Sequence, residues 1–363
     1  MSQSLAIAAQ TLKQLGAACG MKVGFAATYP GIQFAGAELA EFFTANFNLL
    51  TPMSELSWGV VHPAQNTFEY AGADWLLEFA QQNGMALRGH SLCWNAGNPS
   101  WLGEILNSAN AESILVGHIA AVAGRYAGKI DSWDVVNEPI SVWNNEPDGL
   151  SSGPWLSMLG PEYIDIAFRA AAAADPLALR VMNLHECENA SEETTRQATL
   201  TLLEALLKRG VPVQAVGIES HIDCGVAINQ AQLQQFIQAV RGLGLEVLIT
   251  EFDVNDAKVT GGLPNRDGIV ADWYRNYLDM VLPVGGVNRV VFWSPTDNSW
   301  MDAMCEAKDP EFVRANGQCD HRPGLINSSM QLKPAYSGVV AALQRNCKAH
   351  YVAAGRKTEW HPA

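Results

Sequence analysis

Eight short apolar runs, several rich in β-branched residues, recur along this chain, and helical patterns fill the spaces between them. The runs are "KVGFAA" (22–27), "FNLL" (47–50), "ALRGHSL" (86–92), "IDSWDVVN" (130–137), "LRVMNL" (179–184), "VQAVGIE" (213–219), "EVLITEF" (246–252) and "RVVFWS" (289–294). Between them lie helical stretches such as "AGADWLLEFAQQNG", with Gly84 as its C-cap signal, "SILVGHIAAVAGRYAG", "PEYIDIAFRAAAAADP", "TRQATLTLLEALLKRG" and "NQAQLQQFIQAVRGLG". Strands buried on both faces read as continuous apolar runs. Eight of them alternating with helices imply an α/β chain closed into a single-domain (β/α)8 barrel with one active face. The expected barrel spans residues 1–345, with a polar C-terminal tail over 346–363. A doubly wound open sheet is the alternative, but no GxGxxG follows the first run.

Composition narrows the function classes. The chain has 363 residues, 48% of them hydrophobic, enough for a sizeable core. No apolar run reaches the roughly 18–20 residues of a membrane span. The opening "MSQSLAIAAQTLKQLG" reads as an amphipathic helix rather than a signal peptide. A net charge of −14 disfavours a nucleic-acid backbone or an anionic membrane as partner, and leaves neutral ligands open. Eleven tryptophans suit sugar faces, although core packing accounts for part of them. The seven cysteines contain no CxxC pair. Cys19, Cys93 and Cys187 sit in apolar contexts and read as small buried hydrophobes. Cys305 and Cys319 bracket a polar loop and are a candidate pair in an oxidising compartment. "LHECEN" (184–189) lacks HExxH spacing, which argues against a metal site.

Two strand ends carry acids. The run at 130–137 leads into Asn137-Glu138-Pro139, and the seventh run holds Glu251. One such acid alone is better explained by a structural ion pair or a satisfied core group. Two acids at the same end of a barrel form the pair that glycoside cleavage needs, one to protonate the leaving oxygen and one to attack or to activate water. Asp253 lies two residues beyond Glu251, and "GIESHI" places His221 at the end of the neighbouring strand. A histidine between two carboxylates can hold one of them ionised. Asn137 can donate a hydrogen bond to a sugar hydroxyl.

With these residues in place, the chain resembles the family 10 glycoside hydrolases, the barrel endo-β-1,4-xylanases. The matching pieces include "FNLLTP", "RGHSLCW", "RYAGKIDSWDVVNEP", "RGVPVQAVGIESH", "ITEFDV", "VFWSPTDNSW" and "LKPAY", in order from about residue 4 to 343. The resemblance implies Glu138 as general acid/base and Glu251 as nucleophile of a retaining reaction, with carboxyl groups about 5–5.5 Å apart. It also implies a sugar site lined by His90, Trp94, Asn137, His221, Trp293 and Trp300, and pairing of His221 with Glu251 and Asp253. No metal or organic cofactor is implied. The expected partner is xylan or another β-linked oligosaccharide, the expected state a monomer, and the expected location secreted or periplasmic, otherwise cytoplasmic.

The departures fall on sugar-binding loops. Met53, Ser54 and Ser57 stand where the family carries Glu, Asn and Lys; Asn95 and Gly97 replace His and Gln; Glu219 replaces Gln; and "NLHE" replaces Asn-Asp-Tyr-Asn. Each lost hydrogen bond to a sugar costs on the order of 1 kcal/mol. Three or four such losses would weaken the glycone subsite a hundredfold or more. The alternatives are therefore a β-glycosidase of altered glycone specificity (glucosides, decorated xylan or plant glycosides), or a carbohydrate-binding barrel with little catalysis.

Overall fold

The computed structural model describes residues 10–34, 36–297 and 321–353. Ten strands run in chain order: β1 (Lys22–Ala27), β2 (Leu49–Pro52), β3 (Ala86–Gly89), β4 (Cys93–Trp94), β5 (Ser132–Asn137), β6 (Leu179–Leu184), β7 (Ala215–Ile218), β8 (His221–Asp223), β9 (Glu246–Asn255) and β10 (Val287–Phe292). Eight of them pair in parallel in the order β10-β1-β2-β3-β5-β6-β7-β9, and β9 pairs with β10 to close the cylinder. The short β4 and β8 extend it at the carboxyl end, beside β5 and β9. All eight expected runs supply barrel strands, with bounds shifted by a few residues. The structure is a closed (β/α)8 barrel.

The expected helices form at Ala71–Gln82, Ala111–Arg125, Tyr163–Ala174, Glu193–Lys208 and Gln230–Gly242, and Leu263–Val281 fills the gap before β10. Gly84 follows the first of these at φ +64°, the left-handed conformation that ends a helix without a Cβ clash. The main core lies between the strands' outer faces and these helices. A separate small cluster is formed by Val181, Ala215 and Leu248, from β6, β7 and β9, with Leu179 packed against it. Two residues further along the same strands come Asn183, Gly217 and Thr250. A Cβ on Gly217 would come within 2.3 Å of Asn183 Oδ1, so glycine there makes room for the asparagine.

One expectation is corrected. Cys19 is not a free hydrophobe but forms a disulfide with Cys347, 328 residues away. The last helix, Pro334–Ala353, runs across position 345/346 and carries Cys347. Cys93 and Cys187 are free and buried, as expected. Cys305 and Cys319 lie outside the described residues. Among the described residues no helix is long and apolar enough to cross a membrane.

Candidate active site

Strict alternation along β5 and β9 would not bring Asn137 and Glu251 to the same place, and each strand carries an irregularity that does. In β5 the register against β6 shifts between Asp134 and Val136, where β5 spends one residue more than its partner. In β9 the register against β10 shifts between Ile249 and Phe252, again with the extra residue on the acid-bearing strand. Such bulges bend a strand and re-aim the following side chain. As a result Asn137 and Glu251, as well as Asn183 from β6, meet at one place. Immediately after β5, β6 and β7 the backbone is also strained: Glu138 (φ 49°), Glu186 (φ 54°) and Ser220 (φ 67°) occupy the left-handed region. Non-glycine residues stay there only where the surroundings over-determine them, as they do around binding sites.

Asn183 is the hub. Its Nδ2 lies 2.8 Å from Asn137 Oδ1, 2.8 Å from Glu251 Oε1 and 3.0 Å from Glu219 Oε1. The Thr250 hydroxyl donates to its Oδ1 at 2.7 Å, which fixes the amide's orientation. Asn137 Nδ2 in turn donates to Glu138 Oε1 at 3.2 Å. A relay of two amides therefore links the two acids.

The two carboxylates live in different fields. Glu251 is buried, which alone would raise its pKa, but the positive charge of His90, the hydrogen bond and charge of His221 and the charge of Arg88 outweigh that and bring it down to about 2. His90 Nδ1 stands 3.7 Å from Glu251 Oε1 and 2.8 Å from Asp134 Oδ2, and Asp134 is ion-paired with the buried Arg88. His221 Nε2 is 3.4 Å from Glu251 Oε2, while its Nδ1 is 2.7 Å from Asp253 Oδ1. Ser294 donates to the other Asp253 oxygen at 2.9 Å. Glu138 shifts the other way. Burial raises its pKa and Glu251 adds to this, against the lowering influence of His185 and of the Trp94 hydrogen bond.

Among the expected sugar-lining residues, Trp293 stands edge-on to both His90 (5.3 Å between ring centroids) and His221 (6.5 Å). Trp94 adjoins Asn137 in the β4–β5 pairing. Trp300 lies outside the described residues. Asn95 faces inward to the loop structure, donating to Ser151 O at 3.0 Å. The Ser57 hydroxyl is spent on Ser54 O at 2.6 Å, and the Gly97 carbonyl holds Gly59 N–H at 3.1 Å.

Sequence reasoning missed Asn183 and His185. A polar residue inside the apolar "VMNL" was the available signal for the first. His185 Nε2 lies 3.0 Å from Ile140 O, and its Nδ1 is 3.9 Å from Glu138 Oε2. The rest of "LHECEN" diverges, since Glu186 accepts from the Trp143 indole at 2.9 Å and Glu188 accepts from Ser220 N–H at 2.6 Å. Among the described residues two trios bring ligand-type atoms within 4.8 Å, His90–Asp134–Glu251 and Glu219–His221–Glu251. In both, the histidine Nδ1 is already engaged by an aspartate, and Arg88 beside the first opposes a cation.

Residues 11–342 match the sequence profile of glycosyl hydrolase family 10. The chain belongs to that family. Among its relatives, endo-1,4-beta-xylanase 3 of Hypocrea jecorina is 30% identical over 306 residues, covering 84% of this chain and 78% of that protein. Endo-1,4-beta-xylanase B of Thermotoga neapolitana is 28% identical over 340 residues, covering 93% and 92%. The crystal structure of xylanase 10B from Thermotoga maritima superposes with a TM-score of 0.81 at 26% identity, covering 93% of this chain and 99% of that one. Xylanase 10B from Thermotoga petrophila, solved in complex with xylobiose, gives 0.80 at 26% identity, covering 93% and 98%. This family 10 member is a xylanase-like glycoside hydrolase.

Proposed function

We propose that the enzyme hydrolyses β-1,4-xylosidic bonds in xylan or xylo-oligosaccharides with retention, Glu251 acting as nucleophile and Glu138 as general acid/base. The observation that carries this is a pair of carboxyls linked through Asn137 and Asn183 in opposite surroundings: His90 and His221 stand 3.7 Å and 3.4 Å from Glu251 and favour its ionised form, whereas burial and the charge of Glu251 favour the protonated form of Glu138. Environments that separate two acids in this way assign them to base-form and acid-form roles. In the first step a Glu251 oxygen bonds to the anomeric carbon as the glycosidic C–O bond breaks, and the Glu138 proton goes to the departing oxygen. In the second, Glu138, now ionised, takes a proton from water. The water oxygen bonds to the same carbon, the ester to Glu251 breaks, and both acids return to their starting states. His90, His221, Trp94, Asn137 and Trp293 would seat the sugar around that carbon. The names of the relatives and the xylobiose complex favour xylose-based substrates.

Glu251→Ala is expected to abolish turnover of an aryl β-xylobioside, and added azide to restore it with an inverted glycosyl azide as product. Unchanged turnover in that variant would dismiss the assignment. A second reading, altered glycone specificity, is favoured by Ser57 and Gly97, whose polar atoms are tied up within their own loops. A panel of aryl glycosides separates the two, since a strong preference for xylobiosides would reject it. The Cys19–Cys347 bridge suits a protein that works in an oxidising compartment, which favours export.

A further inference from the structure

Three acids, not two, converge on the barrel mouth. Glu219 follows β7 directly, and its backbone is locked to both neighbours: its N–H donates to Leu184 O at 3.0 Å, and its carbonyl accepts from Glu251 N–H at 2.9 Å. One carboxylate oxygen each of Glu219 and Glu251 and one nitrogen of His221 lie within 4.8 Å of one another. Glu219 is 4% exposed, so water screens it little.

The surrounding charges leave it without a cation of its own. Arg88 pairs with Asp134, His221 with Asp253, and His90 faces Glu251. Glu138, Glu188 and Glu219 remain, and only Glu138 has a further histidine, His185, beside it. Like charges this close in a dry site cannot all ionise. Hydrogen-bond bookkeeping agrees. The Asn183 amide has two hydrogens but faces three acceptors, and Thr250 prevents it from turning. The longest of the three contacts is the one to Glu219. A protonated Glu219 is the weakest acceptor of the three, which leaves the two amide hydrogens to Asn137 and Glu251 and its own O–H free for a ligand.

We propose that Glu219 is a neutral carboxylic acid whose Oε2–H hydrogen-bonds a hydroxyl of the sugar seated against Glu251. It is a specificity-determining donor beside the two acids of the double displacement, and the sugar contact rests on the roles given to Glu138 and Glu251 under Proposed function. No bond to the sugar is made or broken by it. Burial together with the charges of Glu251 and Glu138 holds its pKa well above the usual carboxylate range, against the lowering influence of His221. Glu188, raised to about 7 by burial and by Glu192, stands behind it and opposes its ionisation as well.

The test compares the wild type with Glu219→Gln and Glu219→Ala. The amide keeps an N–H donor and adds no charge, so Glu219→Gln is expected to retain at least tenfold more kcat/KM on an aryl β-xylobioside than Glu219→Ala, which loses about 10- to 100-fold relative to the wild type. The first alkaline pKa of the profile should stay in place in Glu219→Gln, and the steepening beyond one proton expected of the wild type should disappear. An infrared difference spectrum of wild type minus Glu219→Gln, taken near neutral pH, should show the carbonyl stretch of a protonated carboxyl. Two results would overturn the proposal: no such band, or an alkaline limb displaced to lower pH in Glu219→Gln, as removing a negative neighbour of Glu138 would cause. A wild type inert on every xyloside would strike the function proposed above, whereas the infrared band reports the state of Glu219 whatever the substrate.

Discussion

Asn183 shows how much can rest on a neutral side chain. It holds Asn137 and Glu251 in one frame, and its hydrogen bond to Glu251 favours the ionised form. Asn183→Ala should therefore do two things at once. The reaction should slow about 10- to 100-fold in kcat, the size of one or two buried hydrogen bonds to a charged group. The acid limb of kcat/KM should also move to higher pH, because a carboxylate that loses a donor needs a higher pH to ionise. Rate profiles of the purified variant on an aryl β-xylobioside would check both, and a wild-type acid limb would refute the electrostatic part. The profile of the wild type follows from the same two shifts. It should stay flat from above the depressed Glu251 titration up to the raised Glu138 titration, then fall as Glu138 loses its proton.

At the scale of elements, the barrel was legible because its strands are buried on both faces, so "SWDVVN" and "VLITEF" read as apolar runs whatever their exact ends. Glu251 was legible because a carboxylate inside such a run is expensive without a task, and Glu138 because it follows one directly. The bulges that aim Asn137 and Glu251 were not, since an extra residue leaves the apolar pattern of β5 and β9 unchanged and appears only in the pairing with β6 and β10. Nor was the loop packing above the barrel. Trp58, after β2, stacks on His118 of helix Ala111–Arg125 at 3.7 Å and on Trp155 at 4.8 Å, and His62 stacks on Phe68 at 4.0 Å. The two histidines face each other Nδ1 to Nδ1 at 3.3 Å, an arrangement that holds one proton and not two. Burial lowers the pKa of both, most strongly that of His118, against the smaller raising influence of the Gln65 carbonyl on His62. A base whose folded pKa lies below its unfolded one stabilises the fold fully above the unfolded value and less as pH falls through it. Stability should thus drop below about pH 6.5 by about 1.4 kcal/mol per pH unit for His118 alone. Thermal midpoints measured across mildly acidic pH should show this slope, and His118→Phe, which keeps a ring against Trp58, should flatten it. An equal slope in that variant would place the acid sensitivity elsewhere.

The whole molecule is closed twice, once by β9 pairing with β10 and once by the covalent bond between Cys19 and Cys347. The second closure was hidden from the sequence by its span of 328 residues, since no spacing rule connects the ends of a barrel. Cys19 sits in the turn between helix Leu12–Ala18 and the first residue of β1, at the amino ends of the strands and opposite the acids. The first helix packs on the last, and the bond fixes that contact. Cross-linking so long a loop removes chain entropy from the unfolded state that amounts to about 6 kcal/mol at most, and strain or residual structure reduces it. Breaking the bond, by reductant or by Cys347→Ser, should lower the thermal midpoint by several degrees, about 8 °C at most. Because the amino ends of the strands carry stability and the carboxyl ends carry the chemistry, kcat/KM below the transition should not change. A loss of activity that precedes the loss of structure would mean that the ends of the chain reach the acids after all.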